Sequence, residues 1–218
     1  MIRSDTLSFL KDLAQNNNRE WFADNKQRYE IAKDNVLAFA GELIKELHVF
    51  DKSISLDTDP KKCVMRIYRD IRFRTDKTPY KDNFGIGNLR AGKVHIGYYV
   101  EIKPGNSFGG GGYWMPEAEH LKQVRQEIDY NADDLKKVID EPQFKKLFGE
   151  FRDQEQLKTT PRDYDPANEN ISLIKLKSFA AIHPFTDAEI MRSDSPKKVA
   201  EVLAYIYPLN VFLNNAIA

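Results

Sequence analysis

Residues 93–114 read KVHIGYYVEIKPGNSFGGGGYW, and this stretch decides the class of fold that the chain adopts. Its first part, Lys93–Lys103, contains HIGYYVEIK and has the β-branched and aromatic residues typical of a strand. Residues 104–106 are Pro, Gly and Asn, which favour a turn, and Ser107–Trp114 continues as a glycine-rich strand. Strands joined by so short a turn pair antiparallel, so the stretch predicts a β-hairpin.

Helical patterns lie on both sides of this hairpin. Helices are predicted over residues 5–15 and about 19–47, and others begin near Pro116, Asn131, Pro142 and Ser195. Further strands are predicted at 53–57, 64–70 and 178–183, with loops at 72–90 and 152–168. Strands gathered in the middle, with helices before and after, favour an α+β fold. We therefore predict a single domain over residues 1–218 with a central antiparallel or mixed sheet flanked by helices.

Composition narrows the class of protein. The chain has 33 basic and 33 acidic residues, whereas a dedicated nucleic-acid binder is usually basic overall. Its one cysteine, Cys63, and the absence of a signal peptide or an apolar run long enough to span a bilayer favour a cytoplasmic protein without a membrane segment. The four histidines are not at metal-ligand spacing, so we predict neither a metal nor a cofactor.

Charge is concentrated in residues 61–81, which we call the basic segment. It holds eight basic and two acidic residues, a net charge of +6. If residues 64–70 form a strand, Arg66, Tyr68 and Asp70 lie on one face and Arg69 lies on the other. Arginines bind carboxylates and phosphates through two parallel hydrogen bonds, so the segment is the strongest candidate for a functional site.

The preferred interpretation of the basic segment is a pocket for a phosphorylated small molecule or a nucleotide. The predicted anion-binding side chains are Arg66, Arg69, Arg72 and Lys77. Asp70 would orient the arginines, Tyr80 would close one side, and Asn25 would line the pocket unless its amide satisfies a loop. If a reaction follows, Asp70 is the candidate base, because arginines stabilise a phosphoryl group electrostatically.

Two alternatives remain open. In the first, Asp70 and Asp76 pair with the arginines in a self-satisfied ion network, and the protein is a structural or interaction module. In the second, the segment contacts a nucleic-acid backbone while Tyr68, Phe73 and Tyr80 stack on bases. The glycines at 109–112 lack the lysine and hydroxyl residue of a phosphate loop, so close backbone packing explains them better.

The central motif also carries a resemblance to a known family. The motif is R-x-x-R-D-x-R-F-x-x-D-K-x-x-Y, formed by Arg66, Arg69, Asp70, Arg72, Phe73, Asp76, Lys77 and Tyr80. Other shared features are the run from Asn17 to Phe22, Asn25, Tyr29, Gly97 to Tyr99, Gly109 to Gly112, Trp114, Pro116, Leu121 and Arg125. Together they resemble the bacterial and fungal domain of unknown function numbered 2461. The resemblance implies one domain over nearly the whole chain, and it implies no reaction.

Overall fold

The computed structural model of the protein describes residues 1–72, 75–90, 96–151 and 156–218. Its longer helices are α1 (Ser4–Gln15), α2 (Arg19–Asp24), α3 (Lys26–Phe50), α5 (Ala118–Ile139), α6 (Pro142–Phe148), α9 (Ser195–Leu203) and α10 (Tyr207–Ala216). Single helical turns form α4 (Pro60–Cys63), α7 (Ile171–Ile174) and α8 (Asp187–Ile190), and a 3₁₀ turn, Ala204–Ile206, leads into α10. The predicted α+β class is confirmed.

Four strands form one antiparallel sheet in the order β1 (Phe84–Leu89), β2 (Gly97–Ile102), β3 (Ser107–Tyr113) and β4 (Phe179–Phe185). The predicted hairpin is β2–β3, and Gly105 takes φ +70° in its turn, where a side chain would be strained. Residues 93–95 of the predicted first strand lie outside the described residues. The predicted strand at 178–183 is β4.

Strand β1 corrects the prediction of a loop over 72–90. Its sequence, FGIGNL, contains two glycines, which are unusual inside a strand. A Cβ atom on Gly85 would lie 2.6 Å from the Tyr99 hydroxyl, and one on Gly87 would lie 2.8 Å from the Met65 methyl group. The glycines are therefore present because side chains from other elements lie directly on the strand.

Two predictions were wrong about where one helix ends and the next begins. The helix predicted over 19–47 is interrupted at Asn25, whose backbone angles (φ −105°, ψ 15°) separate α2 from α3. Its amide donates to the Trp21 carbonyl oxygen at 2.9 Å, an example of a short polar side chain that competes with the helical backbone. By contrast, the helices predicted to begin near Pro116 and Asn131 form one helix, α5, with a kink at Asn131.

Residues 53–57 do not form the predicted strand. The Asp51 carboxylate accepts hydrogen bonds from the backbone N–H and hydroxyl of Ser53, which turns the chain. Ile54 is consequently buried while Leu56 is exposed, although a strand would place them on the same face. Residues 64–70 are extended but pair only through two isolated antiparallel bridges, Val64 with Ile86 and Tyr68 with Tyr80.

The contacts of the chain cluster into two compact units. Unit 1 comprises residues 1–89, 99–109 and 184–201, and unit 2 comprises residues 90–98, 110–183 and 202–218. The single domain over 1–218 therefore stays a prediction. Within the described ranges, none of the helices has the length and apolar character needed to cross a membrane.

An aromatic core in unit 1 supports the basic segment. The rings of Phe9, Phe22, Tyr29 and Phe84 follow one another at centroid distances of 5.1–6.4 Å. Burial raises the pKa of Tyr29 to about 12, because an ionised phenolate is disfavoured among these rings. Helix α2 thus carries Phe22 into the core while its first residues remain at the surface.

Candidate functional site

The basic segment folds back on itself, so that residues 79–81 pair with residues 67–69. The Arg69 N–H donates to the Pro79 carbonyl oxygen at 2.9 Å, and the Lys81 N–H donates to the Ile67 carbonyl oxygen at 2.8 Å. Ile67 is 1% exposed, whereas Tyr68 is 51% exposed. The face that carries Ile67 and Arg69 is therefore turned inward, and the face that carries Arg66, Tyr68 and Asp70 is turned to solvent.

Arg69 is held by two carboxylates. Its guanidinium lies 2.6 Å from the Asp76 carboxylate and 3.6 Å from that of Asp82, while Asp82 also lies 2.9 Å from the Lys103 ammonium. The Thr78 hydroxyl accepts a further hydrogen bond from Arg69 at 3.0 Å. We call Arg69, Asp76, Asp82 and Lys103 the ion network. It ties the 76–78 loop to the ends of β1 and β2.

Both carboxylates of the ion network have lowered pKa values. The pKa of Asp76 is lowered chiefly because the backbone N–H and the hydroxyl of Thr78 donate to it. Burial acts to raise the pKa of Asp82, but the hydrogen bond and charge of Lys103, together with the charge of Arg69, outweigh burial and lower it. Both groups are therefore charged at neutral pH, and Arg69 is already neutralised.

Asp70 and Arg72 form a separate pair at the surface. The Arg72 guanidinium donates to both carboxylate oxygens of Asp70, at 3.0 and 2.7 Å, and this bond raises the pKa of Arg72. Asp70 thus engages one arginine of the motif, and its role in orienting arginines for a ligand stays a prediction. Because both oxygens already accept hydrogen bonds from a cation, the arrangement does not favour Asp70 as a base.

Asn17 fastens the turn between α1 and α2 to the basic segment. Its amide donates to the Tyr80 carbonyl oxygen at 3.0 Å, and its side-chain oxygen accepts from the Tyr80 N–H at 3.1 Å. The Tyr80 ring is 5% exposed and stacks on Phe22 with a centroid distance of 4.0 Å. Tyr80 therefore anchors the segment to the core, and its role in closing one side of a pocket stays a prediction.

These connections leave a groove of about 750 Å³ in unit 1. We call this depression the groove. It is lined by Asn17, Asn18, Arg19, Glu20, Ile71, Asp76, Lys77, Thr78 and Pro79. Ligand pockets commonly enclose about 300–1,000 Å³, so the groove is large enough for a small molecule. Its walls are set in place by Asn17 and by Lys77, whose ammonium donates to the Ile71 carbonyl oxygen at 3.0 Å.

Two cations of the groove are available for a ligand. Among the described residues, neither Arg19 nor Lys77 pairs with a carboxylate, and the only hydrogen bond from the Lys77 ammonium goes to a carbonyl oxygen. The Asp76 carboxylate also lines the groove, but Arg69 and Thr78 engage it. Glu20 contributes one further negative charge.

The predicted site residues thus divide into groups with different environments. Lys77 lines the groove, Arg66 is exposed without an ion pair in the described part of the chain, and Tyr80 is buried. Asn25 lies at the C-terminal end of α2. Its side-chain amide donates to the Trp21 carbonyl oxygen, and its side-chain oxygen accepts a hydrogen bond from the Arg28 guanidinium at 3.1 Å. The motif residue Phe73, which was predicted to stack on a base, lies outside the described residues.

Sequence reasoning missed four residues that build the site: Asn17, Arg19, Asp82 and Lys103. The first two lie in the run from Asn17 to Phe22, which only the family resemblance had singled out. Asp82 and Lys103 carried no local signal, because their importance comes from contacts with a distant arginine and with each other.

Other chemical candidates have structural explanations. A Cβ atom on Gly111 would lie 2.5 Å from the Gly97 carbonyl oxygen, so close backbone packing accounts for the glycine run. His183 bonds the Leu147 carbonyl oxygen at 2.8 Å, and His120 bonds the buried Tyr113 hydroxyl at 2.7 Å. In the part of the chain that the structure describes, no three His, Cys, Asp or Glu side chains gather as metal ligands would.

Comparison with known proteins identifies the family. The sequence model of the family described as "Conserved hypothetical protein (DUF2461)" matches residues 5–212, nearly the whole chain. No curated protein and no solved structure shows a significant match. The basic segment, the Asn17 to Phe22 run and the sheet all lie inside the matched range. The chain therefore belongs to the DUF2461 family of conserved hypothetical proteins.

Proposed function

We propose that the protein binds a phosphorylated small molecule in the groove, with Arg19 and Lys77 as the direct anion contacts. The observation that carries this proposal is a preformed depression of about 750 Å³ lined by two cations that lack a carboxylate partner among the described residues. An arginine and a lysine that line the same groove suit a phosphate group, whose oxygens accept hydrogen bonds from several donors at once.

The other charged residues of the basic segment act as supports in this proposal. Arg69 is neutralised by Asp76 and Asp82 and holds the loop that presents Lys77. Asp70 engages Arg72 outside the groove. The sequence presented an ion network and an anion site as alternatives. In this proposal both exist, because the ion network holds the loop that carries Lys77.

The groove is open, so the expected affinity is modest. Hydrogen bonds to charged groups contribute about 1.5–3 kcal/mol each, and two of them correspond to dissociation constants of roughly 0.04–6 mM. Salt weakens exposed contacts of this kind, so binding is best measured at low ionic strength.

The test is a thermal-shift screen of the purified protein against inorganic phosphate, sulfate, sugar phosphates and nucleotides. A ligand present at ten times its dissociation constant adds about 1.4 kcal/mol of stability. In a chain of this size that stabilisation raises the melting temperature by roughly 3–6 °C. Lys77→Gln and Arg19→Gln should each reduce the shift.

Lys61→Gln is the matched control, because Lys61 belongs to the basic segment but does not line the groove. An equal loss of ligand response in Lys61→Gln would show that general positive charge, and not the groove, attracts the anion. A flat response across the panel would overturn the proposal and leave the ion network with a purely structural role.

A further inference from the structure

We infer that the phosphorylated ligand of the groove is a mononucleotide whose base stacks on Tyr68, an inference that rests on the proposed function. Simple phosphates and sugar phosphates lack an aromatic face. The observation behind the inference is an exposed tyrosine ring that packs against two buried aromatic rings, one of them on the same side of α2 as Arg19.

The Tyr68 ring is both exposed and supported. It is 51% exposed, and its centroid lies 6.1 Å from that of Phe22 and 5.4 Å from that of Tyr80. Both supporting residues are buried. A ring fixed on its inner side has lost most of its conformational freedom before a ligand arrives, so stacking costs little additional entropy.

Two connections place Tyr68 next to the Arg19 wall of the groove. Arg19 and Phe22 are three residues apart in α2, so they lie on the same side of the helix, and Phe22 contacts Tyr68. Burial raises the pKa of Tyr80, while Arg19 is close enough to oppose that rise and Tyr68 is close enough to add to it. Phe22 and Tyr80 therefore link Tyr68 to the side of α2 that carries Arg19.

Arg66 completes an arrangement suited to a nucleotide. It lies two residues before Tyr68 in the chain, and both side chains are exposed. Arg66 is exposed and has no ion pair among the residues that the structure describes. A guanidinium beside a tyrosine ring provides both a planar stacking surface and a charge for a phosphate.

The experiment compares adenosine 5′-monophosphate with ribose 5-phosphate by isothermal titration calorimetry at low salt. Base–aromatic stacking is worth about 1–3 kcal/mol, so the nucleotide should bind the wild-type protein roughly 5- to 150-fold more tightly. Tyr68→Leu should remove this difference and leave ribose 5-phosphate binding unchanged, whereas Tyr68→Phe should retain it. Tyr130→Leu, which removes an exposed tyrosine in unit 2, should bind both ligands like the wild type.

The possible failures are distinguishable. Equal affinity of the wild type for the two ligands would overturn the nucleotide inference while the phosphate site stands. Absence of binding to both would overturn the proposed function and this inference together. A single-stranded oligonucleotide that binds far more tightly than the mononucleotide, with a steep dependence on salt, would overturn the assignment to a mononucleotide in favour of a strand.

Discussion

Arg69 shows how burial changes what a charged residue does. Its side chain is 20% exposed and lies between two carboxylates, whereas the Arg72 side chain, three residues later, is 75% exposed and pairs with Asp70. An arginine that is largely removed from water depends on its partners, while an exposed one exchanges them for water at little cost. Two arginines of one motif therefore differ in their contribution to stability.

Arg69→Ala should lower the free energy of unfolding by about 2 kcal/mol, because it leaves Asp76 and Asp82 without their shared cation. In a protein of this size the loss corresponds to a melting temperature lower by roughly 4–8 °C. Arg72→Ala is the control and should change stability by only about 0.5 kcal/mol. Urea unfolding followed by circular dichroism measures both, and an unchanged stability of Arg69→Ala would contradict the ion network.

Asp82 predicts a dependence of stability on pH. Its pKa is lowered in the folded protein, so the folded state gains stability from the charged form above the unfolded pKa of about 3.9. That stability is lost as pH falls through the lower folded pKa. Urea unfolding between pH 7 and pH 3 should show this loss. Asp82→Asn should be less stable at pH 7 and should show a weaker decline in acid.

Strand β3 illustrates how an element can depend on the absence of side chains. Gly112 adopts φ +102°, and a Cβ atom there would collide with the Phe179 carbonyl oxygen of β4. Gly105, in the turn before β3, has a similar φ of +70° but open space around it. A side chain at position 105 would therefore meet backbone strain alone, whereas one at position 112 would meet both backbone strain and a steric clash.

Gly112→Ala should destabilise the protein by about 3 kcal/mol or more, since it combines an unfavourable backbone conformation with overpacking. Gly105→Ala should cost only about 1 kcal/mol, because it adds the conformational penalty alone. Comparing the melting temperatures of the two variants tests the argument. Equal losses would show that packing against β4 is not what requires glycine at 112.

At the scale of the whole molecule, the chain passes several times between its two compact units. Each unit consists of three separate segments, and strands β2, β3 and β4 each contribute residues to both. We therefore expect one cooperative unfolding transition. Differential scanning calorimetry should give a calorimetric enthalpy equal to the van't Hoff enthalpy. Two resolved transitions would contradict the single domain that the sequence predicts.

Much of the fold was open to prediction from local signals. The hairpin β2–β3 follows from its alternating residues and turn formers, and α1, α6 and β4 follow from periodicity and capping residues. Strand β1 was not predicted, because glycines such as Gly85 and Gly87 are typical of loops. Only the structure shows that the side chains of Tyr99 and Met65 lie on these glycines. The helix break at Asn25 was not predicted, because the apolar periodicity of the sequence continues through it.

The sequence by itself determined the α+β class, the family and the location of the excess positive charge, because periodicity, turn chemistry and charge are local properties. Only the tertiary structure decided which cations are neutralised by carboxylates and which line the groove. Arg69 meets Asp82 and Lys103 meets Asp82 across stretches of chain that no spacing rule connects. Likewise, Asn17 joins Tyr80 from 63 residues away, and Asn17, Arg19 and Lys77 line the same groove. Charges interact through space, so pairing depends on how the folded chain brings distant residues together.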